Sequence, residues 1–176
     1  MRLIALRHGQ SQYNIRGLCN DDASIPVGLT EAGEAQADAA VELLVTESID
    51  AVFASPLPRA HQTACRVAGK LGITVALDTR LGDIRSGFEG RPVVEYLAAI
   101  AHDPVDARVG GESLRDYAGR VGGFLDWLAL QPLETVLIVA HEETLRVIQA
   151  RSEDVPLEAI VGTSFENCRP YGFLLV

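Results

Sequence analysis

Residues 135–140, Thr-Val-Leu-Ile-Val-Ala, form an apolar run without alternation that stops at His141. Six residues is strand length rather than helix length, and apolar side chains at successive positions must be covered on both faces. Residues 3–6 and 51–54 are runs of the same kind. The first ends in Arg7-His8-Gly9, the second in Ser55 followed by Arg59. Residues 73–77 and 172–176 read as two further strands.

Helical stretches separate these runs. Thr30 is a suitable N-cap for a helix to about residue 46, with Glu31 and Glu34 at its positive end and Ala35, Ala39, Leu43 and Leu44 on one face. Ser55-Pro56-Leu57-Pro58 breaks the second strand and opens a helix to about residue 71. Residues 93–101 and 142–151 are further helices. Residues 113–129 carry Leu114, Tyr117, Val121, Phe124, Leu125 and Leu128 at helical spacing, and Trp127 and Phe124 read as core. Three glycines weaken this helix by about 1 kcal/mol each relative to alanine. Residues 14–28 and 80–90 read as loops.

Buried strands alternating with helices predict a three-layer α/β/α sandwich with a mostly parallel central sheet, in one domain over residues 1–176. Ligands in such folds bind beyond the carboxyl ends of the strands. That is where His8, Ser55, Arg59 and His141 collect.

The net charge of −9 disfavours nucleic acid and anionic membrane surfaces as partners. No apolar stretch is long enough to span a bilayer and no signal-peptide pattern occurs, so a cytoplasmic location is expected. Cys19, Cys65 and Cys168 are widely spaced and form no CxxC pair, so they read as buried or incidental thiols. There is no HxH or HExxH spacing to support a metal site. Of the 15 basic residues only Lys70 is lysine.

Two histidines, two arginines and a carboxylate suffice for phosphoryl transfer without a metal. Histidine can act as the nucleophile and carry a covalent intermediate. Arginine forks hold the transferring oxygens and keep their charge. A carboxylic acid protonates the leaving alkoxide and, once ionised, activates water.

Six motifs in order carry a resemblance to a known family. They are Arg7-His8-Gly9-Gln10-Ser11 with Asn14; Leu29-Thr30, Gly33 and Gln36-Ala37; Ser55-Pro56-Leu57, Arg59-Ala60 and Gln62-Thr63-Ala64; Leu81, Asp83, Gly87 and Glu89-Gly90; Gly110-Gly111-Glu112-Ser113 with Arg120-Val121; and Val136 to His141 followed by Leu145-Arg146. The set resembles the histidine phosphatase superfamily, the phosphoglycerate mutase-like proteins, in its small phosphatase branch. The resemblance implies His8 as the phosphorylated residue and Arg7, Arg59 and His141 as the groups holding the phosphoryl oxygens. Asp83 stands at the proton-donor position, where many relatives have Glu. Asn14 matches a residue that orients the site, and Ser11 and Glu142 are expected beside the substrate. No cofactor and no metal are implied.

Two departures stand out. Glu142 and Glu143 replace two small residues after the second histidine, which makes Glu142 a rival acid, as in the acid phosphatase branch. Glu143 reads as a carboxylate stabilised by a helix N-terminus. The Gly87-Phe88-Glu89-Gly90 loop is one residue shorter than usual.

The expected function is hydrolysis of phosphomonoesters through phosphohistidine on His8. The substrate is a small phosphorylated metabolite or a phosphohistidine, and a homodimer is open to such a chain. The alternatives are a phosphoglycerate mutase-type phosphotransferase, against which the short segment after Asp83 argues, and a non-catalytic phosphate-ester binder.

Overall fold

The computed structural model describes residues 1–175. Its elements run β1 (Arg2–Arg7), α1 (Gln12–Arg16), α2 (Glu31–Leu44), β2 (Ala51–Ala54), α3 (Pro58–Leu71), β3 (Val75–Leu77), α4 (Val93–Ile100), α5 (Leu114–Ala129), β4 (Thr135–Ala140), α6 (Glu142–Glu153) and β5 (Pro170–Leu174), with 3-10 turns at Thr79–Leu81 and Leu157–Ala159. The strands form one sheet in the order β3-β2-β4-β1-β5. All pairings are parallel except β1 with β5. The expected class, α/β with a mostly parallel sheet, holds.

The unbroken apolar runs are explained by cover on both faces. Leu3, Ala5, Val136, Ile138 and Ala140 pack toward Tyr117, Val121, Phe124, Leu125 and Leu128 of α5 and Leu145 and Ile148 of α6. Ile4, Leu6, Leu137 and Val139 point the other way, onto Ala37, Ala40 and Leu44 of α2 and Ala64, Val67 and Ala68 of α3. Each large apolar side chain buried this way contributes about 1.5–3 kcal/mol, which offsets the three glycines of α5. No helix among the described residues is long and apolar enough to cross a membrane.

Several local readings need correction. Residues 12–16 are helical, closed by a capping box in which Ser11 and Asn14 each accept from the other's backbone N–H. On α2 the buried face is Gly33, Ala37, Ala40, Val41 and Leu44, while Ala35, Ala39 and Leu43 are exposed. An alanine-rich helix carries little periodic signal, and the close approach of Gly33 to another chain segment sets its rotation. The third strand begins at Val75, not residue 73. The last strand spans Pro170–Leu174 and is antiparallel; Val176 of the expected run lies outside the described residues. Phe124 is buried, but Trp127 is 38% exposed, with the Arg80 guanidinium 5.2 Å from its ring centre. Cys65 is exposed, whereas Cys19 and Cys168 are buried.

The second motif acts as a clasp on the loop after β1. A Cβ on Gly33 would sit 2.0 Å from the carbonyl oxygen of Gln10, and one on Gly9 would sit 2.4 Å from that of Gly33. Thr30 Oγ1 donates to Gln10 Oε1 at 2.9 Å, and Gln36 Oε1 accepts from the Gln10 N–H at 2.8 Å. Both partners at the glycine contact are backbone, so no side chain can swing away. Gly33→Ala is therefore expected to destabilise the protein by about 1–3 kcal/mol in a urea melt. A midpoint indistinguishable from wild type would show that the approach is not tight.

Candidate active site

Parallel register brings the site together. β1 and β4 are neighbours with Arg7 opposite Ala140, so their next residues, His8 and His141, emerge side by side. The His8 N–H extends the ladder by donating to the Ala140 carbonyl at 2.9 Å. The two imidazole rings lie edge to face, 5.3 Å between centres. On the other side of β4, β2 ends at Ala54 and leads through Ser55 into α3, whose second residue is Arg59. All three groups are deeply buried: His8 is 3% exposed, Arg59 3% and His141 1%.

The protonation of His8 follows from its contacts. Nδ1 lies 2.8 Å from the Gly9 carbonyl oxygen, which can only accept, so Nδ1 carries the proton. Nε2 accepts from Arg59 Nε at 2.9 Å and holds its lone pair toward the guanidinium. Burial, reinforced by the Arg59 charge, keeps the imidazole pKa well below its ordinary value. His8 is thus a neutral base with its outer nitrogen unprotonated and turned toward Arg59. The loop is pinned further by Gly9 N–H donating to Thr63 Oγ1 at 3.0 Å and by Asn167 Nδ2 donating to the His8 carbonyl at 2.6 Å.

Arg59 is the hub. Its Nη2 donates to Asp83 Oδ2 at 2.7 Å and to the Asn20 carbonyl at 2.9 Å, and lies 3.2 Å from His141 Nδ1. Its Nη1 donates to Asn20 Oδ1. His141 Nε2 meets Ser55 Oγ at 2.8 Å, and its Nδ1 lies 3.3 Å from Asp83 Oδ2. Burial and the neighbouring Arg59 hold the pKa of His141 down as well. Burial raises the pKa of Asp83 despite the adjacent Arg59.

A cavity of about 250 Å³ opens over these groups. Arg7, His8, Ser11, Asn14, Arg59, Asp83, His141 and Glu142 all line it. The expected residues therefore converge, but in two tiers. His8, His141, Arg59 and Asp83 touch one another. Arg7 sits at the edge, its Nη1 donating to Glu142 Oε1 at 3.1 Å and to the Phe165 carbonyl at 2.9 Å, while its buried Nε has no protein partner among the described residues. Ser11 and Asn14 spend backbone-directed contacts on each other. Glu142 is committed to Arg7, to the Phe165 N–H at 3.0 Å and, at 3.8 Å, to Arg146.

Three features were not foreseen. Asn20, in what read as an uninformative loop, clasps Arg59 from both its side chain and its carbonyl. It is held in turn by Glu89, whose carboxylate also accepts from the Asp21 N–H at 2.7 Å. Ser55 was placed at the site edge and in the third motif, but its partner was not visible there: it meets His141. Glu143 was assigned to the helix dipole, but it faces the cavity and pairs with Arg146 at 2.8 Å. Burial and repulsion from Asp83 raise its pKa to about 7.

The family model of the histidine phosphatase superfamily (branch 1) matches residues 3–171. The chain belongs to this superfamily. It is 32% identical over 170 residues to the adenosylcobalamin/alpha-ribazole phosphatase of Escherichia coli, covering 91% of this chain and 83% of that one. It is 31% identical over 173 residues to the glucosyl-3-phosphoglycerate phosphatase of Mycobacterium tuberculosis, covering 89% and 77%. The crystal structure of the alpha-ribazole phosphatase from Shigella flexneri superposes with a TM-score of 0.88 at 29% identity, over 98% of this chain and 89% of that one. By class, this histidine phosphatase is a phosphoric monoester hydrolase.

Proposed function

We propose that this histidine phosphatase hydrolyses phosphomonoesters of small metabolites through a phosphohistidine on His8 Nε2. The supporting observation is the fixed tautomer of His8: a protonated Nδ1 on the Gly9 carbonyl leaves Nε2 as the only nitrogen able to attack. In the first step Nε2 forms a bond to phosphorus while the ester P–O bond breaks. The proton of the Asp83 carboxyl passes to the departing alkoxide. In the second step water attacks phosphorus, Asp83 takes up its proton, and the P–N bond breaks to return the lone pair to Nε2. The products are the alcohol and inorganic phosphate.

Arg59, Arg7 and His141 are the charge-stabilising groups for the equatorial oxygens, and donors of this kind act chiefly by preorganised electrostatics. The cavity size suits a small substrate rather than a folded protein surface, though a phosphohistidine side chain could enter it. Incubation with phosphohistidine and with a panel of phosphorylated metabolites, comparing kcat/KM, tests the substrate class. A marked preference for phosphohistidine would overturn the metabolite reading.

Two carboxylates compete as acid, and their surroundings differ. Asp83 is raised by burial and lies against the histidine pair, whereas Glu142 is tied to Arg7 and a backbone N–H as an acceptor. Asp83→Asn is therefore expected to slow phenyl phosphate turnover by about 10²-fold or more, within the range of general acid catalysis. Glu142→Gln should cost less than about tenfold by this measure. The reverse order would move the proton-donor role to Glu142.

A further inference from the structure

Asp83 stands on a segment that belongs to no strand and no α-helix, just after the 3-10 turn Thr79–Leu81. Its carboxylate reaches the site through Arg59, but the backbone beneath it is held from the opposite side. Arg120 of α5 donates Nη1 to the carbonyls of Arg80 at 2.8 Å and Gly82 at 3.1 Å, and Nη2 to the carbonyl of Asp83 itself at 3.1 Å. The same guanidinium is clamped by Glu112, whose side chain is 5% exposed. Glu112 also accepts from the Arg85 N–H at 3.2 Å, and its own N–H donates to the Arg85 carbonyl at 2.8 Å. A Cβ on Gly111 would lie 1.5 Å from that carbonyl, so the two segments touch backbone to backbone.

We propose that the Glu112–Arg120 pair, with its carboxylate buried and its guanidinium half-buried, is a positioning device for Asp83, setting where its carboxyl meets the leaving oxygen of the substrate. The proposal rests on Asp83 being the proton donor. Neither residue lines the cavity, so both act through the backbone of residues 80–85. Four carbonyl oxygens, counting that of Thr79 at 3.4 Å, converge on one planar guanidinium. Such a fork fixes direction as well as distance, which a lysine ammonium does not. An ion pair with its carboxylate buried and its guanidinium half-buried adds little net stability, because desolvation offsets much of the attraction. Its effect here is on geometry, and misplacement of a catalytic group by about 1 Å can cost on the order of 10²-fold in rate.

The test uses two substrates of nearly the same shape. p-Nitrophenolate leaves readily without a proton. Phenolate, whose conjugate acid has a pKa of about 10 like tyrosine, benefits from one. The quantity read is the ratio of kcat/KM on phenyl phosphate to kcat/KM on p-nitrophenyl phosphate, which reports only the steps up to the phosphohistidine and excludes its hydrolysis, measured on one sample of each variant. Because both rates come from the same molecules, the ratio does not depend on how much of a variant is folded. Arg120→Lys and Glu112→Gln are each expected to lower this ratio at least about tenfold. Asp83→Asn, run alongside, should lower it further. An unchanged ratio in both brace variants while Asp83→Asn lowers it would overturn the positioning role alone. An unchanged ratio in Asp83→Asn would instead remove Asp83 as the donor, and the positioning proposal with it.

Discussion

His8→Ala is expected to reduce turnover of p-nitrophenyl phosphate by at least about 10⁴-fold, the scale seen when a covalent nucleophile is removed. The reason is that the neighbouring imidazole and carboxylates are poor replacements for it. His141 is the nearest imidazole, but its Nε2 is engaged with Ser55 and its Nδ1 with Arg59 and Asp83. The carboxylates are poor substitutes because they repel a phosphate dianion. The intermediate itself offers a second readout. Wild type mixed with a labelled substrate and quenched in alkali should retain label that acid releases, the behaviour of a phosphoramidate. His8→Ala should retain none. Equal rates for the two proteins would eliminate the His8 mechanism.

Arg59→Ala should lower kcat by about 10²–10³-fold, the usual loss for one preorganised donor to a transition-state oxygen. The upper end is expected, because this guanidinium also faces His8, His141, Asp83 and Asn20. Its removal leaves the half-buried Asp83 without its adjacent cation, which pushes the carboxyl pKa higher still and slows the water-activating step in particular. Arg59→Lys should recover little, since an ammonium cannot span partners on two sides of the fork. Turnover near wild type in Arg59→Ala, in a protein that melts normally, would place Arg59 outside the chemistry.

Much of this arrangement was legible in the sequence because strand periodicity and strand endings carry positional information. A run such as Val136 to Ala140 says that it is covered on both faces, and His141 directly after it must then stand at the sheet edge. Once His8, Arg59 and His141 shared that edge, their meeting followed from parallel pairing. What stayed hidden is of two kinds. Short elements such as α1 fall below the length at which periodicity is visible, although the Ser11 to Asn14 spacing was a cap signal. Contacts made by loops are not encoded locally at all: Asn20 reaches Arg59 across 39 positions, and nothing in Asn20-Asp21-Asp22 announces it. Glu112 and Arg120 were visible as members of a motif, but their action on the carbonyls around Asp83 depends on where α5 passes the 80–85 segment. The rotation of α2 was misread because alanines give a weak pattern, and the decisive contact was a glycine against Gln10.

The pairing of β1 has a consequence for how the chain acquires activity during synthesis. β1 is made first, yet its two sheet partners, β4 and β5, are residues 135–140 and 170–174. Until those emerge from the ribosome, the strand that leads into His8 has both edges bare. Long-range parallel pairing of this kind forms slowly and leaves apolar strand edges exposed to other chains meanwhile. A nascent polypeptide halted before residue 135 therefore holds His8 at the end of a strand without either of its sheet partners.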